Sequence, residues 1–389
     1  KSLSRATGLR SSCCRRSKYM KVFHIISHFD LGGAERVAAS IAKSNTDDME
    51  YHIVETMRGK SQFTNNFINE LTDAGVQCHR AWMPDIRFHF LFERIAALLF
   101  PLRMLFIWLR WHPDVIHTHT EVPDMCIVAS VKLFPFIARS CRIVRTIHNN
   151  VLWTGQIFIG NFCERFFISH RCNIAISQSV RASYQQRFGE DTPIIYNGVG
   201  KPDSNCYPHL VEGKINVIFA GRFEMQKGIS TLVDVLSRMR GNERYHFHIF
   251  GDGSLSELIH SRLGEQKNVS INPPLFSLSS YLSSFDYMFM PSEFEGLSIV
   301  AIEASMSALP NIINDCPGLG ETLPEDWPLK VENNNVDAYL NIFNVILPSM
   351  SREVLGAKAM AYAEDNFSLV SMQRNYEKVY SRHYPQHQP

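Results

Sequence analysis

The feature that most constrains the fold is a regular alternation of short apolar runs with segments of helical pattern, which continues from Met20 to Pro328. Many runs are uninterrupted by charge, as expected for parallel strands covered by helices on both faces. Strand-like runs occupy residues 21–27, 51–56, 76–81, 114–117, 142–147, 173–177, 193–196, 215–220, 245–250, 269–272, 286–290 and 311–313. This order predicts an α/β protein with right-handed crossovers and ligand sites at the carboxyl ends of its strands.

The chain is long enough for two domains of ordinary size, because it has 389 residues. A stretch rich in turn formers near residues 198–213 separates the two series of strands. We therefore expect a first domain at 20–205, a second at 206–368 and a C-terminal helical segment at 369–389. Residues 1–19 carry lysine and arginine but no acid, and we expect a disordered arm there, with a membrane-touching arm as the alternative.

Charge and cysteine usage narrow the class of protein. The net charge of +1 gives no general argument for nucleic acid as a partner. The nine cysteines form no Cys-x-x-Cys pair and are odd in number. This pattern is typical of a reducing compartment and of neither a disulfide framework nor a zinc site, so we expect a cytoplasmic protein.

One segment of the first domain, residues 88–111, is unusually apolar. It is 24 residues long and carries as charges Glu93, Arg94, Arg103 and Arg110. A membrane-spanning helix is possible by length, but the charges and Pro101 argue against it. Two interpretations remain: two core-packed helices, which we favour slightly, and an amphipathic helix giving peripheral membrane contact through residues 87–111, with Arg87 among its cations.

A stretch of the second domain offers two carboxylates and an anion cradle. Glu295 precedes a predicted helix, and Glu303 lies inside it eight positions later, which corresponds to about 12 Å of helical rise. The N–H groups of Gly296, Leu297 and Ser298 would be open donors at the helix start, where phosphate is attracted.

Two further strand-end loops contain groups suited to phosphates. Arg222 and Lys227 follow the run at 215–220, and a forked guanidinium with an ammonium suits a diphosphate. Gly32 and Gly33 stand where the first strand turns into a helix. Glycine at such a turn lets backbone N–H groups approach a phosphate or a sugar.

Histidines mark the ends of two strands of the first domain. His117 and His119 point to the same side of a strand, and His119 is nearer the carboxyl end, so it is the better candidate for a cleft. No nearby carboxylate or cysteine completes a metal site. His148 ends the next strand and is interpreted either as a hydrogen-bonded rim residue or as an acceptor contact.

Two glycine-containing segments invite a structural interpretation. Gly251 and Gly253 close a strand but lack the third glycine of a dinucleotide-binding fingerprint, so we reject dinucleotide binding. Asn197 and Gly198 suit a turn with positive φ; proximity to a donor is the second interpretation.

The Glu-x7-Glu pattern after a Pro-Ser strand end, with Gly-Gly-Ala-Glu-Arg at 32–36 and Gly-Arg…Lys-Gly at 221–228, resembles glycosyltransferase family 4. These are retaining nucleotide-sugar transferases with the GT-B fold, and the resemblance covers roughly residues 20–381. It implies two doubly wound, Rossmann-like parallel-sheet domains that face a cleft. It also implies that the terminal helix, near Val370–His383, crosses back to pack on the first domain.

The resemblance assigns roles to the candidate residues. It implies that Glu295, Arg222, Lys227 and His119 are catalytic, and that the cations neutralise the departing diphosphate, so that no metal or cofactor is needed. Donor-binding residues would be Gly32, Gly33, Gly251, Gly253, Gly296, Leu297, Ser298, Asn197 and Glu303, with Glu303 on the ribose. His148 would lie on the acceptor side, and the loop at 273–276 would border the base.

The expected reaction is transfer of a sugar from a nucleotide-diphosphate sugar to a glycan or lipid-linked acceptor, in cell-surface polysaccharide assembly. The alternatives are a nucleotide-sugar epimerase on the same fold and a catalytically silent nucleotide-sugar-binding scaffold. The sequence departs from the family at Leu297 and Ser298, where Phe-Gly is frequent. It also departs at Ala308, where glycine is frequent and where alanine is expected to forgo positive φ.

Overall fold

The computed structural model describes residues 19–30, 32–44, 48–59, 61, 63–82 and 89–381. The arm expected at residues 1–19 lies outside the described residues except for Tyr19. Arg87 and the side chain of Arg94 also lie outside them.

The described chain forms two six-stranded parallel sheets with helices between the strands. The strands are β1 (Met20–Ile26), β2 (Met49–Glu55), β3 (Gln77–His79), β4 (Val115–His119), β5 (Arg142–Ile147), β6 (Asn173–Ala175), β7 (Ile215–Ala220), β8 (Tyr245–Phe250), β9 (Val269–Asn272), β10 (Tyr287–Met290), β11 (Asn311–Asn314) and β12 (Lys330–Val331). The helices are α1 (Gly33–Ala42), α2 (Thr64–Asp73), α3 (His89–Trp111), α4 (Glu121–Leu133), α5 (Phe136–Ser140), α6 (Ile157–His170), α7 (Gln178–Phe188), α8 (Ile229–Arg238), α9 (Ser256–Leu263), α10 (Ile299–Met306), α11 (Val336–Asn341), α12 (Leu347–Ser349), α13 (Arg352–Asn366) and α14 (Leu369–Ser381).

The strand orders confirm the doubly wound class. The first sheet has the order β3-β2-β1-β4-β5-β6 and the second β12-β11-β10-β7-β8-β9. The order of the strands therefore reverses at one point in each sheet. This point lies between β1 and β4 in the first domain and between β7 and β10 in the second. Ligands of such sheets bind at this switch point, outside the carboxyl ends of the strands.

The strand predictions differ from the structure at two short segments. The run at 193–196 is not a strand of the sheet, and only an isolated bridge joins Ala175 and Ile194. The strand β12 was missed, because two residues are too few to show a period.

Apolar burial on both faces explains the first sheet. Along β1, Phe23 and Ile25 belong to one buried cluster, whereas Val22 and Ile26 belong to the cluster on the opposite face. This alternation is the period of two expected of a strand. Leu297 of the second domain is buried in the same cluster as Phe23, so the two domains pack directly against each other.

The terminal helix α14 packs on the first domain, where Met372, Tyr376 and Tyr380 are buried. The expected positive φ at Asn197 and Gly198 is wrong, since neither is among the described residues with positive φ. Gly198 is instead required by close approach, because a Cβ there would lie 2.5 Å from the carbonyl oxygen of Ser368.

Ala308 corrects a further expectation. It adopts φ 53° directly after α10, where its N–H donates to the carbonyl oxygen of Ser305 at 2.9 Å. The hydrogen bonds that end the helix therefore impose the left-handed conformation, which alanine adopts at a steric cost.

The apolar segment is one continuous helix, α3, so the prediction of two helices is wrong; Pro101 lies inside it. One side is buried through Phe100, Met104 and Ile107. The opposite side exposes an apolar stripe, which we define as Leu98, Leu99, Leu102, Phe106 and Leu109. Within the described part of the chain, no helix is long and apolar enough to cross a membrane.

Candidate active site

The candidate residues gather around the two switch points. Lys227 follows β7 and Glu295 follows β10, and these strands are neighbours in the second sheet. The Nζ of Lys227 donates to Oε1 of Glu295 at 2.6 Å, and Oγ of Ser292 donates to the same oxygen at 2.9 Å. The Glu295 carboxylate is buried, so this ion pair fixes it in place.

The loop that carries Arg222 packs on the glycines after β8. Arg222 itself is exposed. The N–H of Phe223 donates to the carbonyl oxygen of Asp252 at 2.8 Å, and a Cβ at Gly253 would lie 2.7 Å from the carbonyl oxygen of Phe223. A Cβ at Gly251 would likewise lie 2.0 Å from the carbonyl oxygen of Gly221 and 2.5 Å from the ring of Phe223. Both glycines therefore shape the arginine loop.

The start of α10 is held from outside the helix. The N–H of Ser298 donates to the carbonyl oxygen of Gly318 at 3.2 Å, and the N–H of Glu295 to that of Pro317 at 2.9 Å. One of the three donors proposed for the anion cradle is thus occupied in this structure, and the cradle stays a prediction. Gly318 has φ 75° and no room for a Cβ beside Glu295 and Gly296. The sequence Cys-Pro-Gly-Leu-Gly at 316–320 could have signalled this turn.

Glu303 lines a cavity of about 180 Å³ between the domains. Arg36 of α1 lines the same cavity. Burial raises the pKa of Glu303 to about 7, and the nearby Arg36 opposes this rise. Arg36 also lies over the ring of Phe276, with its Cζ 5.5 Å from the ring centroid. Phe276 in turn stacks against Phe63 of the first domain, with 5.9 Å between the ring centroids. Arg36 is the last residue of the Gly-Gly-Ala-Glu-Arg motif at 32–36, but the sequence predicted no role for it.

The first glycine loop faces the arginine loop across the cleft. Gly32 is the N-cap of α1, and the carboxylate of Glu35 occupies the space where a Cβ of Gly32 would lie. Burial raises the pKa of Glu35 to about 7, and the positive charge of Arg222 in the second domain partly opposes this rise. Gly33 is exposed, with no atom within 4 Å of a Cβ built there.

Histidines form a hydrogen-bonded chain behind the cleft. Nε2 of His119 lies 3.0 Å from Nδ1 of His24, and Nδ1 of His119 lies 3.0 Å from Nε2 of His148. Burial lowers the pKa of His24 and of His148 to about 3, so these rings are neutral. His119 is fully buried. Contrary to the expectation that His119 faces the cleft, it reaches the domain junction through His148.

The structure adds a third histidine to the pair on β4. Ring nitrogens of His24, His117 and His119 all lie within 4.8 Å of one another. However, Nδ1 of His117 hydrogen-bonds the hydroxyl of Tyr380 at 2.8 Å, and its Nε2 hydrogen-bonds that of Thr146 at 2.7 Å. Because both nitrogens of His117 and of His119 are engaged, these donors suit a hydrogen-bonded core better than a metal centre. His24 was missed because it lies 95 residues from His119.

Polar contacts join the two domains at the loop that carries Glu295 and Gly296. Nδ2 of Asn150 donates to the carbonyl oxygen of Glu295 at 2.7 Å, and Oγ of Ser177 donates to that of Gly296 at 2.6 Å. The carboxylate of Glu321 accepts the N–H of Gln178 at 2.9 Å, at the start of α7. The sequence analysis identified none of Asn150, Ser177 and Glu321, because nothing local distinguishes them. Asn197 is buried, and the hydroxyl of its neighbour Tyr196 donates to the carboxylate of Glu321 at 3.4 Å.

Comparison with known proteins places each domain in a family. The model "Glycosyltransferase Family 4" matches residues 31–200, and "Glycosyl transferases group 1" matches residues 214–347. An uncharacterized glycosyltransferase of Methanocaldococcus jannaschii is 25% identical over 279 residues, which cover 69% of this chain and 75% of that protein. The capsular polysaccharide biosynthesis glycosyltransferase CapH of Staphylococcus aureus is 22% identical over 303 residues, covering 73% and 78%.

The solved structures agree with this assignment. The crystal structure of Anabaena HepE in complex with UDP and glucose superposes with a TM-score of 0.74 and 19% identity, covering 94% of this chain and all of that one. Its fold is the two-domain architecture described above. The chain is therefore a GT-B glycosyltransferase, built from a Glycosyltransferase Family 4 domain and a group 1 domain.

Proposed function

We propose that this glycosyltransferase moves a sugar from a nucleotide-diphosphate sugar to a glycan or lipid-linked acceptor, with retention of anomeric configuration. The observation that carries the proposal is the buried Glu295 held by Lys227, at the switch point and directly against the first domain. Arg222 lies in the same strand-end loop as Lys227. CapH is named for capsular polysaccharide biosynthesis and HepE was crystallised with UDP and glucose. HepE supports a nucleotide sugar as donor, and CapH supports a cell-surface polysaccharide as product.

The proposed chemistry uses the cations on the leaving group. When the bond between the anomeric carbon and the diphosphate breaks, negative charge develops on the diphosphate oxygen, and Arg222 and Lys227 would stabilise it. Glu295 would orient the sugar hydroxyls, and Glu303 would hold the ribose. With two cations in place, we propose that the reaction proceeds without a divalent metal.

We further propose a cytoplasmic enzyme that contacts the inner face of the membrane through the apolar stripe of α3. Of the arginines expected to contact the membrane, Arg103 has a different role in the structure. Arg103 is buried, and its guanidinium donates to the carbonyl oxygens of His79 at 3.0 Å and Arg80 at 2.8 Å. It is therefore unavailable to lipid. Arg110 stays exposed, with its Cζ 5.0 Å from the centroid of a Trp111 ring.

Product analysis with a radiolabelled UDP-sugar and extracted lipid-linked saccharides tests this function. We expect a new glycoside that keeps the donor's anomeric configuration. An epimerised donor would favour an epimerase, and an unchanged donor would favour a silent scaffold; either result refutes the proposal.

Two variants test the diphosphate site. Arg222→Ala and Lys227→Ala should each weaken UDP binding, measured by calorimetry, by about tenfold, because each removes a charge-assisted hydrogen bond. Lys267→Ala is the matched control, since Lys267 is exposed at the opposite, amino-terminal end of β9. If all three variants bound UDP as tightly as the parent protein does, the proposed diphosphate site would be refuted.

A further inference from the structure

A second cavity, of about 480 Å³, lies in the first domain at the carboxyl ends of β2 and β3. We call it the arginine cavity. Its polar and aromatic lining comprises Arg58, Ser61, Thr64, Asn65, Arg80 and Trp82. None of these residues belongs to the candidate active site. The cavity opens on the same edge of the sheet as that site, because the strands are parallel.

Positive charge exceeds negative charge among the described residues that line the arginine cavity. The buried Glu55 carboxylate accepts Nε of Arg80 at 2.6 Å and the N–H of Ala81 at 2.8 Å. Glu55 thus neutralises and orients Arg80, whose Nη2 also donates to the carbonyl oxygen of Gly59 at 2.8 Å. Arg58 is exposed and forms no ion pair with any other residue that the structure describes. Among the residues that the structure describes, the Arg58 guanidinium on the cavity wall therefore has no compensating carboxylate.

Hydrogen-bond donors accompany this charge. Thr64 begins α2, and its N-cap residue, Phe63, supplies no side-chain hydrogen bond to the helix start. The hydroxyls of Ser61 and Thr64 lie 3.2 Å apart at the cavity wall, and Asn65 adds an amide. The N–H of Thr64 donates to the carbonyl oxygen of Ser61 at 3.2 Å, so the open helix-start donor nearest the cavity is the N–H of Asn65. Guanidinium, hydroxyl and N–H groups together suit a phosphate or diphosphate.

An apolar surface continues from the cavity. Arg103 is bonded to backbone carbonyls at the ends of β2 and β3, so this turn of α3 lies at that edge of the sheet. The exposed stripe from Leu98 to Leu109 spans about 17 Å at helical rise. Trp82 on the cavity rim is 66% exposed, with its ring centroid 6.4 Å from that of Phe106 in the stripe of α3.

We infer that the arginine cavity binds the diphosphate of a lipid-linked acceptor, whose hydrocarbon chain lies along the stripe of α3. This inference rests on the proposed function. The cavity between β2 and β3 lies about two strand spacings, roughly 10 Å, from the switch point between β1 and β4. That distance is about the reach of a sugar attached to the diphosphate, so its hydroxyl would arrive at the reacting centre.

Direct binding tests the cavity without requiring turnover. We expect farnesyl diphosphate to bind in calorimetry with UDP present to occupy the donor site. Arg58→Ala should weaken this binding at least tenfold, through loss of a charge-assisted contact. Trp82→Ala should weaken binding of farnesyl diphosphate but not of inorganic diphosphate. Arg139→Ala is the control, an exposed arginine on α5 of the same domain, and should change neither.

A transfer assay and a vesicle assay separate the possible sources of the phosphate. Arg58→Ala should raise the KM for a polyprenyl-diphosphate-linked saccharide and leave the KM for its phosphate-free methyl glycoside unchanged. Equal farnesyl diphosphate affinity in Arg58→Ala and the parent protein overturns the inference. Loss confined to vesicles of anionic phospholipid would assign the cavity to lipid headgroups instead and also overturns it. Absence of glycoside product with intact farnesyl diphosphate binding would refute the proposed function alone.

Discussion

The substitution Gly296→Ala tests whether the contact between the domains controls catalysis. A Cβ at Gly296 would lie 1.9 Å from the carbonyl oxygen of His148 in the other domain. Gly296 lacks positive φ, so the new methyl group meets only this steric obstacle. The obstacle is backbone, which cannot rotate away as a flexible side chain would.

The expected effect follows from that geometry. Ordinary contact between carbon and oxygen requires at least about 3.2 Å, so the two domains must separate by about 1.3 Å at this point. Asn150 and Ser177 would then lose their hydrogen bonds, 2.7 and 2.6 Å long, to the loop that carries Glu295 and Gly296. Because a misplacement of about 1 Å costs around a hundredfold in rate, we expect kcat to fall about a hundredfold.

Steady-state kinetics with a UDP-sugar and thermal unfolding form the assay. The melting temperature should also fall, because Leu297 is buried in a cluster shared with the first domain, so kcat is compared at a temperature at which both variants are fully folded. Gly200→Ala is the matched control at the domain junction, where a Cβ would meet only a side-chain carbon of Leu369 at 3.3 Å. A Gly296→Ala variant with kcat within threefold of both the parent and the control would refute the reasoning.

The other predictions concern four positions. Glu303→Gln should raise the donor KM and weaken UDP binding. Glu295→Gln should mainly lower kcat and leave UDP binding intact, because Glu295 meets the reacting sugar and Glu303 does not. A kcat of Glu295→Gln within a few-fold of the parent would contradict this role. Since the pKa of Glu303 is raised to about 7, its contribution to the free energy of unfolding is present below about pH 4.5 and is lost as the pH rises to 7. Glu303→Gln should make the fall in the free energy of unfolding from pH 4.5 to 8 less steep without abolishing it, because Glu35 has a similarly raised pKa. Arg145→Ala should lower the free energy of unfolding by about 3–5 kcal/mol, because the buried Arg145 pairs with two buried carboxylates at 2.7 Å; the exposed control Arg139→Ala should cost under about 0.5 kcal/mol. Ala308→Gly should raise the free energy of unfolding by about 0.5–1 kcal/mol, because φ is 53° there; a loss of stability would show that the αL conformation carries no cost.

The sequence was sufficient for the fold class and for the local motifs. Strands buried on both faces leave uninterrupted apolar runs, and this local signal located eleven of the twelve strands. Pairs within one loop were also visible. Arg222 and Lys227 share a strand-end loop, and Glu295 and Glu303 share a loop and its helix, because their spacing along the chain fixes their spacing in space.

Contacts between distant segments needed the tertiary structure. For the apolar segment at 88–111, the sequence left two packed helices and one amphipathic helix open and did not predict a buried Arg103. Amphipathic patterning says which faces are apolar but not what packs on them. Gly198 gave a turn signal, yet its role is close approach to Ser368. His24 had no signal at all, since a polar residue in an apolar strand does not reveal its partner.

What the sequence determined is therefore periodicity and loop chemistry, both of which depend on neighbours along the chain. Only the tertiary structure decided that Lys227 pairs with Glu295, that His148 stands between His119 and the domain junction, and that Gly296 faces His148. The physical reason is that burial can be inferred from local pattern, whereas the identity of a partner depends on strand order and on how two domains meet.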